Sequence, residues 1–127
     1  MLEYIQNRLQ IGKVYPLNLN SQTDHVRWVV MSKKDIYKLI KIFDINPLNT
    51  TKYLDYINWK EAFLLYFSLQ TNNISLQEEV KTQIFNLKSC MNENRTNFDY
   101  PQDHKIKITP YWLLGFSVRR AVSLTLE

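Results

Sequence analysis

The amino-acid sequence predicts an α+β fold in which helices pack on a hairpin of an incomplete antiparallel sheet. Residues 25–31 alternate between two faces, a pattern typical of a half-buried strand. A polar, turn-forming stretch at residues 18–24 separates this segment from a second candidate strand at residues 11–15, so we expect the two strands to form a hairpin. Three later segments repeat apolar residues at intervals of three and four, which is typical of amphipathic helices.

The apolar positions assign the faces of the predicted hairpin and of the helix before it. Val26, Trp28 and Val30 fall on one side of the second strand, and Arg27 lies on the opposite side. A short helix precedes the first strand and ends close to Gly12. Its apolar face consists of Leu2, Ile5 and Leu9.

The first helix after the hairpin has a clear start and stop. Ser32 and Asp35 form a capping pair in which aspartate replaces the more usual glutamate. Pro47 then ends the helix, because the residue before a proline is displaced from helical geometry. Its apolar stripe consists of Ile36, Leu39, Ile40 and Phe43.

Two further helices follow. The stripe of the second helix is Trp59, Ala62, Phe63 and Tyr66, and its aromatic residues are better explained as core than as platforms for stacking bases. A full capping box, Ser75 to Glu78, starts the third helix. This helix carries the apolar residues Val80, Ile84, Leu87 and Met91.

The C-terminal part of the chain contains a polar connector, one more helix and an apparent strand. Thr109 suits the cap of a helix and Pro110 suits its first position, since proline lacks only an amide hydrogen that would be unpaired there. Gly115 is small enough to let another backbone approach closely. Residues 117–127 alternate and predict a strand.

The composition of the chain limits the classes of function that it can have. A chain of 127 residues that is 45% hydrophobic suits one domain, and no apolar run approaches the length of a membrane span. The net charge of +4 is compatible with a polyanionic partner. Cys90 is expected to be buried and inert, and His25 and His104 to be surface residues without ligand partners. The sequence contains no nucleotide-binding loop and no nucleophile elbow.

The run ITPYWLLGF at residues 108–116 resembles the start of the signature helix of the LAGLIDADG homing endonucleases. Leu113, Leu114, Gly115 and Phe116 correspond to the signature itself. Other segments resemble the family in the same order along the chain: IQNRLQIGKV at 5–14, SKKDI at 32–36, TKYLDY at 51–56, WKEAF at 59–63 and NRTNF at 94–98. The resemblance implies a partial LAGLIDADG fold. Residues 1–91 would be the back half of a first repeat, 92–107 a connector, and 108–127 the truncated start of a second repeat.

In this family, each of two signature helices ends in an acidic residue that binds a divalent metal, Mg²⁺, used to hydrolyse DNA. An ungapped alignment places Arg120 where that acid belongs. A gapped alignment instead explains the junction of Phe116 and Ser117 by deletion of an acidic turn. Under either alignment this chain has no catalytic residue and no metal ligand, so we expect no cofactor for it. The resemblance therefore does not imply that this chain has the enzymatic activity of the family.

The resemblance also implies partners. In the family a sheet lies in the major groove of double-stranded DNA, and the corresponding hairpin here offers six candidate DNA-binding residues: Lys13, Tyr15, Asn18, Asn20, Gln22 and Arg27. An ordinary solvated hairpin is the competing interpretation. The leading hypothesis is an inactive fragment of an intron-encoded, site-specific DNA endonuclease. The alternatives are one piece of a split enzyme, completed by a missing half of the same protein, or an RNA maturase that binds intron RNA. Abundant residues with AT-rich codons favour a mitochondrial, organelle-encoded origin.

Overall fold

The computed structural model describes residues 1–16, 26–71 and 78–124. The predicted α+β class is confirmed. In these ranges the chain forms five α-helices and one antiparallel hairpin: α1 (Leu2–Leu9), β1 (Lys13–Tyr15), β2 (Arg27–Val29), α2 (Lys33–Ile45), α3 (Lys52–Thr71), α4 (Glu78–Ser89) and α5 (Pro110–Leu124). A short 3-10 helix, Asn92–Asn94, follows α4. The chain divides into two compact units, Met1–Asn46 and Pro47–Glu127.

The first unit is organised around the hairpin. Helix α1 packs on both strands and ends where Gln10 adopts a left-handed conformation with φ of 54°. Ile11 then inserts into the core of this unit and is 1% exposed. Strand β1 begins at residue 13 rather than the predicted residue 11, because Gly12 also has a positive φ, 68°, which interrupts extended backbone.

Helix α2 begins and ends as the sequence predicts. The Ser32 side chain accepts a hydrogen bond from the Asp35 backbone N–H at 3.1 Å, which satisfies an amide that the helix leaves unpaired. At the other end, the Asn46 N–H donates to the carbonyl of Ile42, and Pro47 follows. Ile40 is the buried residue of the apolar stripe.

In the second unit, α3 packs against α4. Leu54, Tyr56 and Phe63 are buried on α3. The predicted core role is confirmed at Phe63, which stacks on the half-buried Trp59 with ring centroids 5.9 Å apart. Tyr66, the last residue of the predicted stripe, is 39% exposed, so the prediction is wrong there. The predicted capping residue Ser75 lies outside the described residues.

Helix α5 starts as predicted but continues further. The Thr109 hydroxyl accepts the Trp112 N–H at 3.1 Å, which confirms the cap. A strand was predicted at residues 117–127, but residues 117–124 belong to α5, so the prediction is wrong there. Residues 125–127 lie outside the described part of the chain. A helix satisfies its backbone hydrogen bonds internally, whereas a strand needs a partner strand, and the described residues provide none there. None of the described helices is long and apolar enough to cross a bilayer.

Candidate nucleic-acid interface

The hairpin brings three of the predicted DNA-binding residues to one exposed face. In the antiparallel register, Tyr15 lies opposite Arg27 and Lys13 lies opposite Val29. Cross-strand partners point to the same side of a sheet, so the Lys13, Tyr15 and Arg27 side chains share a face. All three are exposed, and we call this surface the hairpin face.

The opposite side of the hairpin is held by packing and by one hydrogen bond. Val14 lies opposite Trp28 in the register, and both side chains are half-buried. The Trp28 indole N–H donates to the carbonyl of Ile11 at 2.8 Å. This bond fixes the second strand to the residues that precede the first, so the hairpin face has a defined orientation relative to its own unit.

Gly12 permits that arrangement. A Cβ atom at this position would lie 2.5 Å from the Val29 carbonyl oxygen and 2.8 Å from the Trp28 indole nitrogen. Both distances are shorter than any carbon contact that packed proteins tolerate. Only glycine therefore suits the close crossing of the chain here, and its positive φ adds a second reason.

Asp35 connects the start of α2 to the same crossing. One of its carboxylate oxygens accepts the Gly12 backbone N–H at 3.3 Å. This hydrogen bond and a second one from the Ser32 side chain lower the pKa of Asp35 below its ordinary value, and burial opposes them only in part. The Asp35 carboxylate also lies 3.8 Å from the Lys38 ammonium nitrogen. Asp35 thus makes contacts with Gly12, Ser32 and Lys38 within the first unit.

Asn18, Asn20 and Gln22 lie outside the described residues, as does His25. The four lysines near the start of α2 are exposed, as expected for a solvent-facing stripe: Lys33, Lys34, Lys38 and Lys41.

Residues 113–116 of α5, which the resemblance predicts to be part of a signature helix, are exposed. Leu113 is 52% exposed, Leu114 63% and Phe116 40%, and Phe116 stacks on Trp112 with ring centroids 5.1 Å apart. No described atom outside the local helix lies within 4 Å of a Cβ built on Gly115. The close backbone approach expected at Gly115 is therefore not present in the described part of the chain.

The donor set of α5 does not fit the Mg²⁺ ion that the family uses. Mg²⁺ is bound through oxygen ligands, mainly carboxylates, and the sequence of Pro110–Leu124 contains no Asp or Glu. Within residues 1–16, 26–71 and 78–124, no three His, Cys, Asp or Glu side chains form a group that could hold a metal ion.

Two expectations about individual side chains are wrong. Cys90 is exposed rather than buried. His104 is not a surface histidine: its ring stacks 4.1 Å from that of Tyr53, and both ring nitrogens are buried without a hydrogen-bond partner in the described structure. A contact that the sequence does not reveal joins Asp55, whose side chain is only 14% exposed, to Arg95 at 3.0 Å.

Sequence reasoning also missed a cleft of about 710 Å³ in the second unit. It lies where the start of α3, the end of α4 and the segment after α4 meet. Lys88, Asn94 and Phe98 are among the residues that line it. Residues 92–107 have no periodicity and were predicted to be a connector, and only the Asn-rich composition of the first residues indicates a polar site there.

Two comparisons with known proteins agree with the fold and the hairpin. Residues 1–63 match the profile of the family described as LAGLIDADG endonuclease. A relative from Schizosaccharomyces pombe, named "Probable intron-encoded endonuclease Cox1-I1b", is 31% identical over 119 residues. The match covers 91% of this chain but only 28% of the relative. On these matches and its α+β structure, this chain belongs to the LAGLIDADG homing endonuclease family.

Proposed function

We propose that this chain corresponds to a section of an intron-encoded, site-specific DNA endonuclease that binds double-stranded DNA through the hairpin face and does not cut DNA by itself. The observation that carries the proposal is the shared exposed face of Lys13, Tyr15 and Arg27. Arginine reads guanine through two parallel hydrogen bonds, and lysine neutralises phosphate. A two-stranded ribbon is narrow enough to enter the major groove.

The charge of the first unit supports binding to a polyanion. Residues 1–46 contain seven Lys and Arg but four Asp and Glu, so most of the chain's surplus of positive charge lies there. The exposed lysines of α2, among them Lys34 and Lys41, add cations to the same unit. On this proposal Asn18, Asn20 and Gln22 also take part in recognition, since Asn and Gln side chains pair with adenine edges.

The proposal that the chain does not cut DNA rests on chemistry in α5. Hydrolysis by the family requires a carboxylate at the end of each signature helix, and α5 has none. At the position of the acid, Arg120 would repel a divalent cation. The DNA-cutting function would therefore require a partner that supplies the missing helix and acids.

We propose that this partner is the remaining part of the same endonuclease. The match to 28% of the relative's length supports this, as do the exposed Leu113 and Leu114 beside the open position at Gly115. Apolar side chains around a glycine suit a second helix that approaches closely. A mitochondrial, organelle-encoded origin is supported by the abundance of residues with AT-rich codons.

The experiment is a fluorescence anisotropy titration of a short labelled DNA duplex, with and without Mg²⁺. Lys13→Gln should weaken binding and reduce the slope of log K against log salt by about 0.9, because it removes one phosphate-neutralising cation. Arg27→Gln should weaken binding by about 1–3 kcal/mol, because it removes the two hydrogen bonds to guanine. Lys81→Gln is the matched control, since it removes the same charge from an exposed position on α4. Equal loss in all three variants would contradict binding at the hairpin face.

The same mixtures test the remaining parts of the proposal. Incubation with Mg²⁺ should leave the duplex intact, and a nicked strand would overturn the claim that the chain alone does not cut. An excess of intron RNA should compete weakly. If intron RNA bound while the duplex did not, the maturase function would be supported in place of the endonuclease section.

A further inference from the structure

The cleft of the second unit is distant in sequence from the hairpin face and forms a site of its own. Its volume, about 710 Å³, lies within the range of pockets that hold small ligands. Its walls come from Lys52 and Asp55 at the start of α3, Lys88 at the end of α4, and residues of the segment that follows.

A hydrogen-bonded network around Asp55 builds one wall. One carboxylate oxygen accepts the Asn92 backbone N–H at 3.0 Å and two N–H groups of the Arg95 guanidinium at 3.0 and 3.1 Å. The other accepts the Lys52 ammonium at 3.1 Å, and Lys52 also donates to the Asn92 side chain at 2.8 Å. Because four groups converge on one carboxylate, the segment after α4 is fixed against α3 and the wall is preformed.

The network leaves the cleft electropositive. Three cations, Lys52, Lys88 and Arg95, line it together with one carboxylate, Asp55. Burial raises the pKa of Asp55, but the hydrogen bonds from Asn92, Lys52 and Arg95 outweigh it, and the pKa is held below its ordinary value. The carboxylate is therefore ionised at neutral pH and cancels only part of the positive charge. Lys88 is exposed, so its ammonium group is accessible to an anion.

The lining of the cleft also includes an aromatic ring accessible to solvent. The Phe98 side chain is 57% exposed, although it lines the cleft. The exposed amide of Asn94 lies in the same lining and offers both a donor and an acceptor. The cleft therefore offers three kinds of group that suit a nucleotide. The aromatic face suits the base, the amide suits the edge of the base, and the lysine ammonium groups suit the phosphate.

We propose that this cleft binds a nucleotide of a single-stranded nucleic acid, with its base on Phe98 and its phosphate at Lys88 and Lys52. In a duplex the faces of the bases are stacked on one another and are not available to a protein ring, whereas a single strand exposes them. The cleft thus complements the hairpin face, which we assign to double-stranded DNA. The two sites lie on different units.

The test is an equilibrium titration of the full chain with fluorescein-labelled oligouridylate and, separately, oligodeoxythymidylate. Phe98→Ala should weaken binding about tenfold, the effect typical of losing one stacked base. Phe98→Tyr should retain binding because it keeps the ring. Phe85→Ala is the matched control, since Phe85 is 68% exposed on α4 but does not line the cleft. Lys88→Gln should reduce the salt dependence of binding.

The outcomes separate the possible sources of the nucleotide. Tighter binding of the ribose strand would assign RNA, and equal binding would assign single strands in general. Competition by free uridine monophosphate would show that one nucleotide occupies the cleft. The proposal is overturned if neither strand binds, or if Phe98→Ala binds as tightly as Phe85→Ala. Far-UV circular dichroism of each variant verifies folding, and unchanged duplex binding separates this result from a failure of the hairpin face.

Discussion

Replacement of Gly12 by alanine should unfold the hairpin locally. Alanine at a φ of 68° costs about 1–2 kcal/mol, because its Cβ crowds the backbone in the left-handed region. The new Cβ would also lie 2.8 Å from the Trp28 indole nitrogen, which must move away from the Ile11 carbonyl. That hydrogen bond contributes about 1 kcal/mol. We therefore expect Gly12→Ala to lower the free energy of unfolding of the first unit by about 2–3 kcal/mol.

The assay is urea denaturation of a chain in which Trp59 and Trp112 are replaced by phenylalanine, so that fluorescence reports Trp28 alone. Gly115→Ala serves as the matched control. Its Cβ meets no described atom within 4 Å and Gly115 lies outside the first unit, so this variant should not destabilise the transition that Trp28 reports. If Gly12→Ala changed the free energy of unfolding by less than about 0.5 kcal/mol, the close crossing described here would be refuted.

Three further predictions concern single contacts. Asp55→Asn should lower the free energy of unfolding by about 2 kcal/mol in urea denaturation, with allowance for solvent screening. Because the folded-state pKa of Asp55 is lowered, its stabilisation is present above the ordinary aspartate pKa and is lost as pH falls through the folded value, and the variant should lack this acid dependence. Ser32→Ala should cost about 1 kcal/mol and accelerate hydrogen exchange at the Asp35 amide. Trp28→Phe should cost about 1 kcal/mol in urea denaturation followed by far-UV circular dichroism, because this substitution removes the fluorescent reporter. An unchanged midpoint in any of these would contradict the contact concerned.

Local patterns predicted the parts of the structure that depend on neighbours in sequence. The alternation at residues 25–31 placed Arg27 opposite the half-buried face of the hairpin, and β2 has that orientation. Ser32 and Thr109 were identified as helix caps from residue type and spacing, and both accept the expected backbone N–H. Such contacts span three residues, so the sequence alone contains enough information to predict them.

Contacts between distant residues could not be predicted in this way. Asp55 pairs with Arg95, which is separated from it by 40 residues, so no pattern in sequence connects them. The stacking of His104 on Tyr53 is equally remote. The alternation after Phe116 predicted a strand, but a strand requires a partner strand, and the capped helix propagated through those residues instead. The cleft beside Phe98 depends on these same long-range contacts, and it was therefore missed.

The most direct test of the account is to map where duplex DNA contacts the chain. Nuclear magnetic resonance spectra of the isotope-labelled protein, recorded during titration with a short duplex, report each backbone amide separately. If the hairpin face binds the duplex, the largest chemical-shift changes occur at residues 13–15 and 27–29, and residues 78–98 change little. Changes confined to residues 78–98, or none at the hairpin at saturating duplex, would contradict the assignment of the hairpin face to double-stranded DNA.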